Sequence, residues 1–125
     1  MSDILIAEDE PAILDPLRFI LEHAGWCVES VTDGEAVLTS IRRARPRLLL
    51  LDIMLPRLSG LEVLRILRDD PQLADISVLV LTARGQKQDR KMALDLRADG
   101  FITKPFDNDE LLEEVSRLLS KDRAP

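Results

Sequence analysis

Four polar side chains, Asp9, Asp52, Thr82 and Lys104, each follow a different short apolar run of the chain. A further acid, Glu8, directly precedes the first of them. Short apolar runs that alternate with amphipathic stretches are typical of a parallel sheet, and ligands bind such sheets at the carboxyl ends of the strands. We therefore expect these five groups to lie in one crevice, between the first and third strands.

Three clustered carboxylates restrict the chemistry of that crevice. Two unit charges 4 Å apart repel each other by ~4 kcal/mol at an effective dielectric constant of about 20. The acids must therefore be protonated, pair with Lys104 or bind a cation, and a few hard oxygen ligands suit magnesium. Lys104 could also pair with a phosphoryl group, and Thr82 offers a hydroxyl donor. Together these groups suit phosphoryl transfer to a carboxylate.

Five predicted strands must position these residues. The pattern predicts strands at residues 4–7, 27–31, 48–51, 76–81 and 101–103. Apolar residues at helical spacing predict five helices, near residues 11–24, from 33 or 34 to 45, 61–70, 86–96 and 111–119. Strands that are buried on both faces and separated by helices predict an α/β fold, with helices on both sides of a parallel sheet.

The composition sets the broad class of the protein. The 125 residues suit a single domain, and the net charge of −6 argues against unaided binding to nucleic acid or anionic membranes. The chain shows no signal peptide and no apolar run long enough for a membrane span, so we expect a cytoplasmic protein. We expect the single cysteine, Cys27, to be a small buried hydrophobe, Trp26 to pack at the edge of the core, and His23 to lie on the surface.

Five segments in order and register resemble the receiver domain of bacterial two-component response regulators, the CheY-like domain. The resemblance covers about residues 3–120 and is nearest to receivers of the OmpR/PhoB type. The matching segments are Ile4-Leu5-Ile6-Ala7-Glu8-Asp9-Glu10, Leu50-Leu51-Asp52-Ile53-Met54-Leu55-Pro56, Ser59-Gly60, Leu81-Thr82-Ala83-Arg84 and Ala98-Asp99-Gly100-Phe101-Ile102-Thr103-Lys104-Pro105-Phe106.

The resemblance implies a particular fold. It implies a flavodoxin-like, doubly wound, five-stranded parallel sheet of order 2-1-3-4-5 with about five helices. It also implies a single receiver domain at residues 1–121, followed by a short polar tail at 122–125, and a cis peptide bond between Lys104 and Pro105.

The resemblance further implies the roles of the acidic residues. Asp52 would accept a phosphoryl group from a sensor histidine kinase or a histidine phosphotransfer protein. Asp9, Asp52 and the backbone carbonyl of Met54 would bind Mg²⁺, for which Mn²⁺ could substitute, and Glu8 would act through water. The domain would catalyse only its own phosphorylation and dephosphorylation.

Other residues would transmit the effect of phosphorylation from Asp52 to the surface of the domain. The resemblance implies that Lys104, Thr82 and Ala83 contact the phosphoryl group, and that Thr82 moves towards it while Phe101 swings inward. The face formed by the fourth helix, fifth strand and fifth helix would then control an output partner or a homodimer. No direct contact with nucleic acid or membrane is expected of this domain.

Two positions depart from the charge pattern of the OmpR/PhoB branch. Gly100 stands where that branch commonly has an acidic residue, and Glu114 stands where it commonly has arginine. The usual set of ion pairs between dimer partners is therefore not expected here.

Three other functions stay open at this point. A magnesium-dependent phosphatase of the haloacid-dehalogenase type also uses an aspartyl phosphate, but it needs a second acid at the position of Met54. A flavin or nucleotide binder needs a phosphate-cradling loop, whereas Ala7-Glu8-Asp9-Glu10-Pro11 would repel phosphate. A receiver-like protein that does not switch could act as a docking surface. The chain could stand alone or be the N-terminal domain of a longer regulator.

Overall fold

The computed structural model describes residues 2–83 and 87–122. Five strands form one parallel sheet in the order β2-β1-β3-β4-β5. The strands are β1 (Ile4–Ala7), β2 (Val28–Val31), β3 (Leu48–Asp52), β4 (Ser77–Ala83) and β5 (Gly100–Lys104). This topology confirms the α/β, doubly wound, flavodoxin-like fold predicted from the sequence.

A helix follows each strand. The helices are α1 (Pro11–His23), α2 (Gly34–Arg43), α3 (Gly60–Asp69), α4 (Lys87–Asp95) and α5 (Asn108–Asp122). Local sequence explains several of their starts. Pro11 begins α1, where a missing N–H costs nothing, and Asp33 and Ser59 cap α2 and α3 by accepting backbone N–H bonds at 2.8 and 3.2 Å.

The sheet separates two apolar layers. Alternate residues of β3 point to opposite faces, so Leu49 and Leu51 pack with α2, α3 and α4, while Leu48 and Leu50 pack with α1 and α5. Because helices cover both faces of β3, all five of its residues are buried. The continuous apolar run before Asp52 is thus a consequence of its central place in the sheet.

Three surface expectations have different outcomes. His23 is exposed, as predicted, and its ring stacks on Phe19 with centroids 5.7 Å apart. Trp26 is partly buried against the core, also as predicted. The prediction for Cys27 was wrong. Its thiol is exposed because β2 begins only at Val28, and Cys27 lies in the connection before it.

Some expectations concern segments without a described structure. Arg84, the last residue of the fourth matching segment, lies outside the described residues, as do Gly85 and residues 123–125 of the expected tail. The described part of α5 continues through Asp122. Within the described ranges, every helix is too short or too polar to cross a membrane.

Candidate functional site

The register of the sheet brings the polar strand ends together. Ala7 of β1 pairs with Leu51 of β3, so the residues that follow these two positions are neighbours. Asp52 in turn pairs with Leu81 of β4, and Ala83 pairs with Lys104 at the end of β5. The carboxyl ends of four strands therefore meet at one edge of the sheet.

Asp52 is held in one orientation at this edge. Only 2% of the residue is exposed. Its Oδ1 accepts a hydrogen bond from the Met54 backbone N–H at 3.0 Å, and its Oδ2 accepts one from Lys104 Nζ at 2.9 Å. Both carboxylate oxygens are thus engaged, which fixes the plane of the group.

Glu8 lies next to this pair and is fully buried. Its Oε2 accepts the backbone N–H groups of Asp9 and Glu10 at 3.1 and 3.2 Å. Its Oε1 lies 2.9 Å from Lys104 Nζ, and this contact is an ion pair without the geometry of a hydrogen bond. Burial, reinforced by the adjacent Asp52 carboxylate, raises the pKa of Glu8 from its ordinary 4.5 to about 7.

Lys104 supplies the positive charge of the cluster. Burial alone would lower its pKa, but the contacts with Asp52 and Glu8 outweigh burial and raise the pKa above its ordinary 10.5. Among the described residues, one ammonium therefore serves two buried carboxylates, which leaves this part of the site short of positive charge once both are ionised.

The acidic cluster fits a hard divalent cation. Glu8, Asp9 and Asp52 can each offer one carboxylate oxygen, and these oxygens lie within 4.8 Å of one another. Asp9 is exposed while the other two acids are buried, so the cluster opens to solvent on the Asp9 side. Glu8 Oε1 is buried and makes no hydrogen bond with the residues that the structure describes. Carboxylate oxygens around an open position are the ligand set that Mg²⁺ uses.

The other residues predicted for the site surround it at different depths. Thr82 is buried, Ala83 is exposed at the end of β4, and Met54 is 61% exposed. Phe101 is partly buried against the layer of α2, α3 and α4, and the Arg90 guanidinium lies 5.1 Å from the centre of its ring. The Lys104–Pro105 peptide bond is cis, as expected.

Sequence reasoning did not single out Arg68, a buried residue that lies near the amino-terminal ends of β4 and β5, at the opposite end of the strands from Asp52. Its guanidinium pairs with Asp99 at 3.0 Å and donates to the carbonyls of Ala74, Ile76 and Arg97. Arg97 itself has a φ of 66°. One signal was available, because Arg68 lies four residues after Leu64 and so continues the apolar stripe of α3.

Comparison with known protein families identifies the class of protein to which the chain belongs. The profile of the response regulator receiver domain matches residues 4–116. The chain therefore belongs to the response regulator receiver domain family of two-component systems. Receiver domains are in general signalling domains that receive phosphate from histidine kinases and bind Mg²⁺ at an acidic site.

Characterised relatives extend this result. The chain is 44% identical over 126 residues to the DNA-binding dual master transcriptional regulator RpaA of a Synechocystis species, covering 100% of this chain and 52% of that protein. It is 42% identical over 118 residues to the response regulator MprA of Mycobacterium leprae, covering 94% of this chain and 51% of that protein. The chain thus spans about half the length of the curated relatives that it matches.

Solved structures share the fold. A receiver domain of a histidine kinase from Syntrophus aciditrophicus superposes with a TM-score of 0.92 at 34% identity, covering 100% of this chain and 95% of that one. The receiver domain of the sensor histidine kinase PA1611 from Pseudomonas aeruginosa has a TM-score of 0.87 at 28% identity, covering 95% of this chain and 98% of that one. The latter structure has a magnesium ion coordinated in its active site cleft.

Proposed function

We propose that Asp52 is the phosphoryl acceptor of this receiver domain. The observation that carries the proposal is the contact of Lys104 Nζ with Asp52 Oδ2 and Glu8 Oε1, both at 2.9 Å. This arrangement places an orientated carboxylate next to a fixed positive charge, at an edge that is open to solvent through Asp9. An incoming phosphoryl group would meet a nucleophile and a counter-charge together.

The transfer balances simply. A carboxylate oxygen of Asp52 forms a bond to phosphorus while the bond from phosphorus to the donor breaks. The donor atom, a histidine nitrogen of a sensor kinase or phosphotransfer protein, keeps the electron pair. Lys104 would neutralise charge on the phosphoryl oxygens, and no general base is needed because a carboxylate oxygen attacks without losing a proton.

Asp9, Asp52 and the backbone carbonyl of Met54 would hold the cation, with Glu8 acting through water. When bound, Mg²⁺ supplies charge neutralisation to the phosphoryl oxygens, and Mn²⁺ would serve in its place. The shortage of positive charge around Glu8 and Asp52 supports this assignment, since one Lys104 ammonium faces both acids.

Phosphorylation would change the face formed by α4, β5 and α5. Thr82 and Ala83 would contact the phosphoryl group, and Phe101 would move inward from its partly buried position. Met92 and Leu94 of α4 are 39% and 55% exposed and would be available to an output partner or a second copy. Glu114 pairs with Arg117 at 2.6 Å, beside Gly100, so a dimer would lack the usual ion pair at these positions.

The deciding experiment is intact-mass measurement after incubation with acetyl phosphate or phosphoramidate and MgCl₂. We expect the wild type to gain one phosphoryl group, Asp52→Asn to gain none, and Asp69→Asn, a surface control on α3, to behave like the wild type. Gain by Asp52→Asn would refute the assignment. Absence of any gain in the wild type would favour a docking protein that does not switch.

Two further expectations stand with this proposal. Hydrolysis of small phosphate esters is not expected, because the second acid that such phosphatases need is replaced by Met54. A cytoplasmic location remains a prediction, as does the division into a domain at residues 1–121 and a tail at 122–125.

A further inference from the structure

Gly34, the first residue of α2, lies against the loop of residues 53–59 that joins β3 to α3. A Cβ atom on Gly34 would lie 2.0 Å from the Leu58 carbonyl oxygen and 2.6 Å from Leu58 Cβ. The Gly34 backbone N–H also donates to Pro56 O at 3.3 Å. Because real Cβ contacts do not fall below 3.0 Å, any side chain at position 34 requires the start of α2 and this loop to shift relative to each other.

The same loop is tethered at both of its ends. The Ile53 N–H donates to Leu81 O at 3.3 Å, and Ile53 O accepts the Gly60 N–H at 2.9 Å. A Cβ atom on Gly60 would in turn lie 2.2 Å from Asp52 O. The hydrogen bonds of Ile53 and the close approach of Gly60 to Asp52 hold both ends of the loop. The loop therefore has little freedom to absorb a displacement at Leu58.

The middle of the loop is also held from α2. Arg57 has a φ of 68°, a left-handed conformation that is unfavourable for a residue with a side chain. Its guanidinium pairs with Glu35, the second residue of α2, at 3.7 Å. The Gly34 contacts and this exposed ion pair both connect the first turn of α2 to the loop.

Met54 lies in this loop, and its backbone N–H fixes Asp52 Oδ1 at 3.0 Å. We propose that Gly34 is a positioning residue for the phosphorylation site, because its missing side chain allows α2 to hold the 53–59 loop where Met54 can orient Asp52 and present its carbonyl to a cation. This inference rests on the proposed function for the role of the Met54 carbonyl.

The test compares Gly34→Ala with Gly25→Ala. Gly25 has a φ of +104° but no atom within 4 Å of a built Cβ, so its substitution strains the backbone far from the loop. Two measurements do not depend on phosphorylation. They are the Mn²⁺ dissociation constant, from electron paramagnetic resonance of free Mn²⁺, and amide hydrogen exchange of residues 53–59 in EDTA.

For Gly34→Ala we expect Mn²⁺ affinity to fall by roughly tenfold or more, since losing the groups that orient metal ligands typically costs about 10–100-fold in affinity. Exchange of the loop amides should accelerate in the same variant. Gly25→Ala should lower the melting temperature yet keep wild-type affinity and loop exchange. Wild-type affinity and exchange in folded Gly34→Ala, or equal losses in Gly25→Ala, would overturn the inference.

A milder variant covers the case in which Gly34→Ala does not fold. Asp33→Ala removes the 2.8 Å cap to the Ala36 N–H and loosens the first turn of α2 without adding atoms near the loop. It should weaken Mn²⁺ binding and accelerate loop exchange, and unchanged values for both would overturn the inference. If the wild type binds no Mn²⁺, the proposed metal site fails, and loop exchange in EDTA alone decides the role of Gly34.

Discussion

Lys104 and Asp52 are 52 residues apart in sequence, yet Nζ of the lysine lies 2.9 Å from Oδ2 of the aspartate. The same ammonium lies 2.9 Å from Glu8 Oε1. The end of β5 is thereby tied to the ends of β1 and β3. This contact offsets part of the negative charge of two buried acids in the metal-free protein.

Removing that ammonium should destabilise the metal-free protein. In Lys104→Met, the buried carboxylates of Glu8 and Asp52 lose their shared partner, and breaking a buried pair in this way costs up to about 3–5 kcal/mol. Urea unfolding in EDTA measures the loss. Lys91→Met, on the exposed surface of α4, is the control and should unfold like the wild type.

Mg²⁺ should restore part of the lost stability, so the shift in unfolding midpoint caused by Mg²⁺ should be larger in Lys104→Met than in the wild type. An unchanged free energy of unfolding in Lys104→Met would show that the ammonium does not stabilise these buried acids.

Glu8 should make the stability of the metal-free protein depend on pH. Its pKa is about 7 in the folded chain and close to the ordinary 4.5 in the unfolded chain. A carboxyl group with a raised folded-state pKa favours folding below pH 4.5, and this contribution disappears as the pH rises through 7. The shift corresponds to at most roughly 3 kcal/mol.

Glu8→Gln cannot ionise and should therefore be more stable than the wild type at pH 8 in EDTA, with the advantage shrinking towards pH 5. Denaturant unfolding across this range measures it, and Glu10→Gln, an exposed neighbour, is the control. A constant difference between wild type and Glu8→Gln from pH 5 to pH 8 would contradict the assigned pKa.

Arg68 should contribute strongly to stability although it lies far from the proposed phosphorylation site. Arg68→Met removes the donor from three carbonyl groups and the ion-pair partner from Asp99, whose Oδ2 keeps the Val78 N–H at 2.8 Å, and the loss should cost about 3 kcal/mol. Arg65→Met, on the exposed side of the same helix, should cost little. Equal free energies of unfolding for the two variants would show that the contacts of Arg68 with Asp99 and the three carbonyl groups contribute nothing to stability.

Cys27 should react with a thiol reagent in the native state. Its exposure predicts complete modification by 5,5′-dithiobis(2-nitrobenzoic acid) under conditions where the protein stays folded. Cys27→Ser should change the free energy of unfolding by no more than about 0.5 kcal/mol, as is usual for surface positions. Modification only after unfolding would contradict the exposed position.

Much of the site could be predicted because strand ends are visible in the sequence. The apolar run Leu48–Leu51 stops at a charged residue, and the alternation of strands and helices implies that such ends share one edge of a parallel sheet. Asp9, Asp52, Thr82 and Lys104 were therefore predicted as one group, and the structure places Lys104 between Glu8 and Asp52.

The roles of Glu8, Gly34, Arg68 and Cys27 depended on the tertiary structure. Local pattern reports which face of an element is apolar, but it does not report how deeply a polar residue is enclosed by distant segments. Glu8 is fully buried and contacts Lys104 of β5, and Cys27 is exposed one residue before β2 begins.

The sequence by itself thus determined the fold class and the membership of the acidic cluster, since both follow from apolar periodicity and from residue types at strand ends. Tertiary packing alone decided the pairing of one ammonium with two carboxylates, the raised pKa of Glu8 and the closeness of Gly34 to Leu58. These depend on distances and solvent exclusion between segments far apart in the chain, which no local pattern encodes.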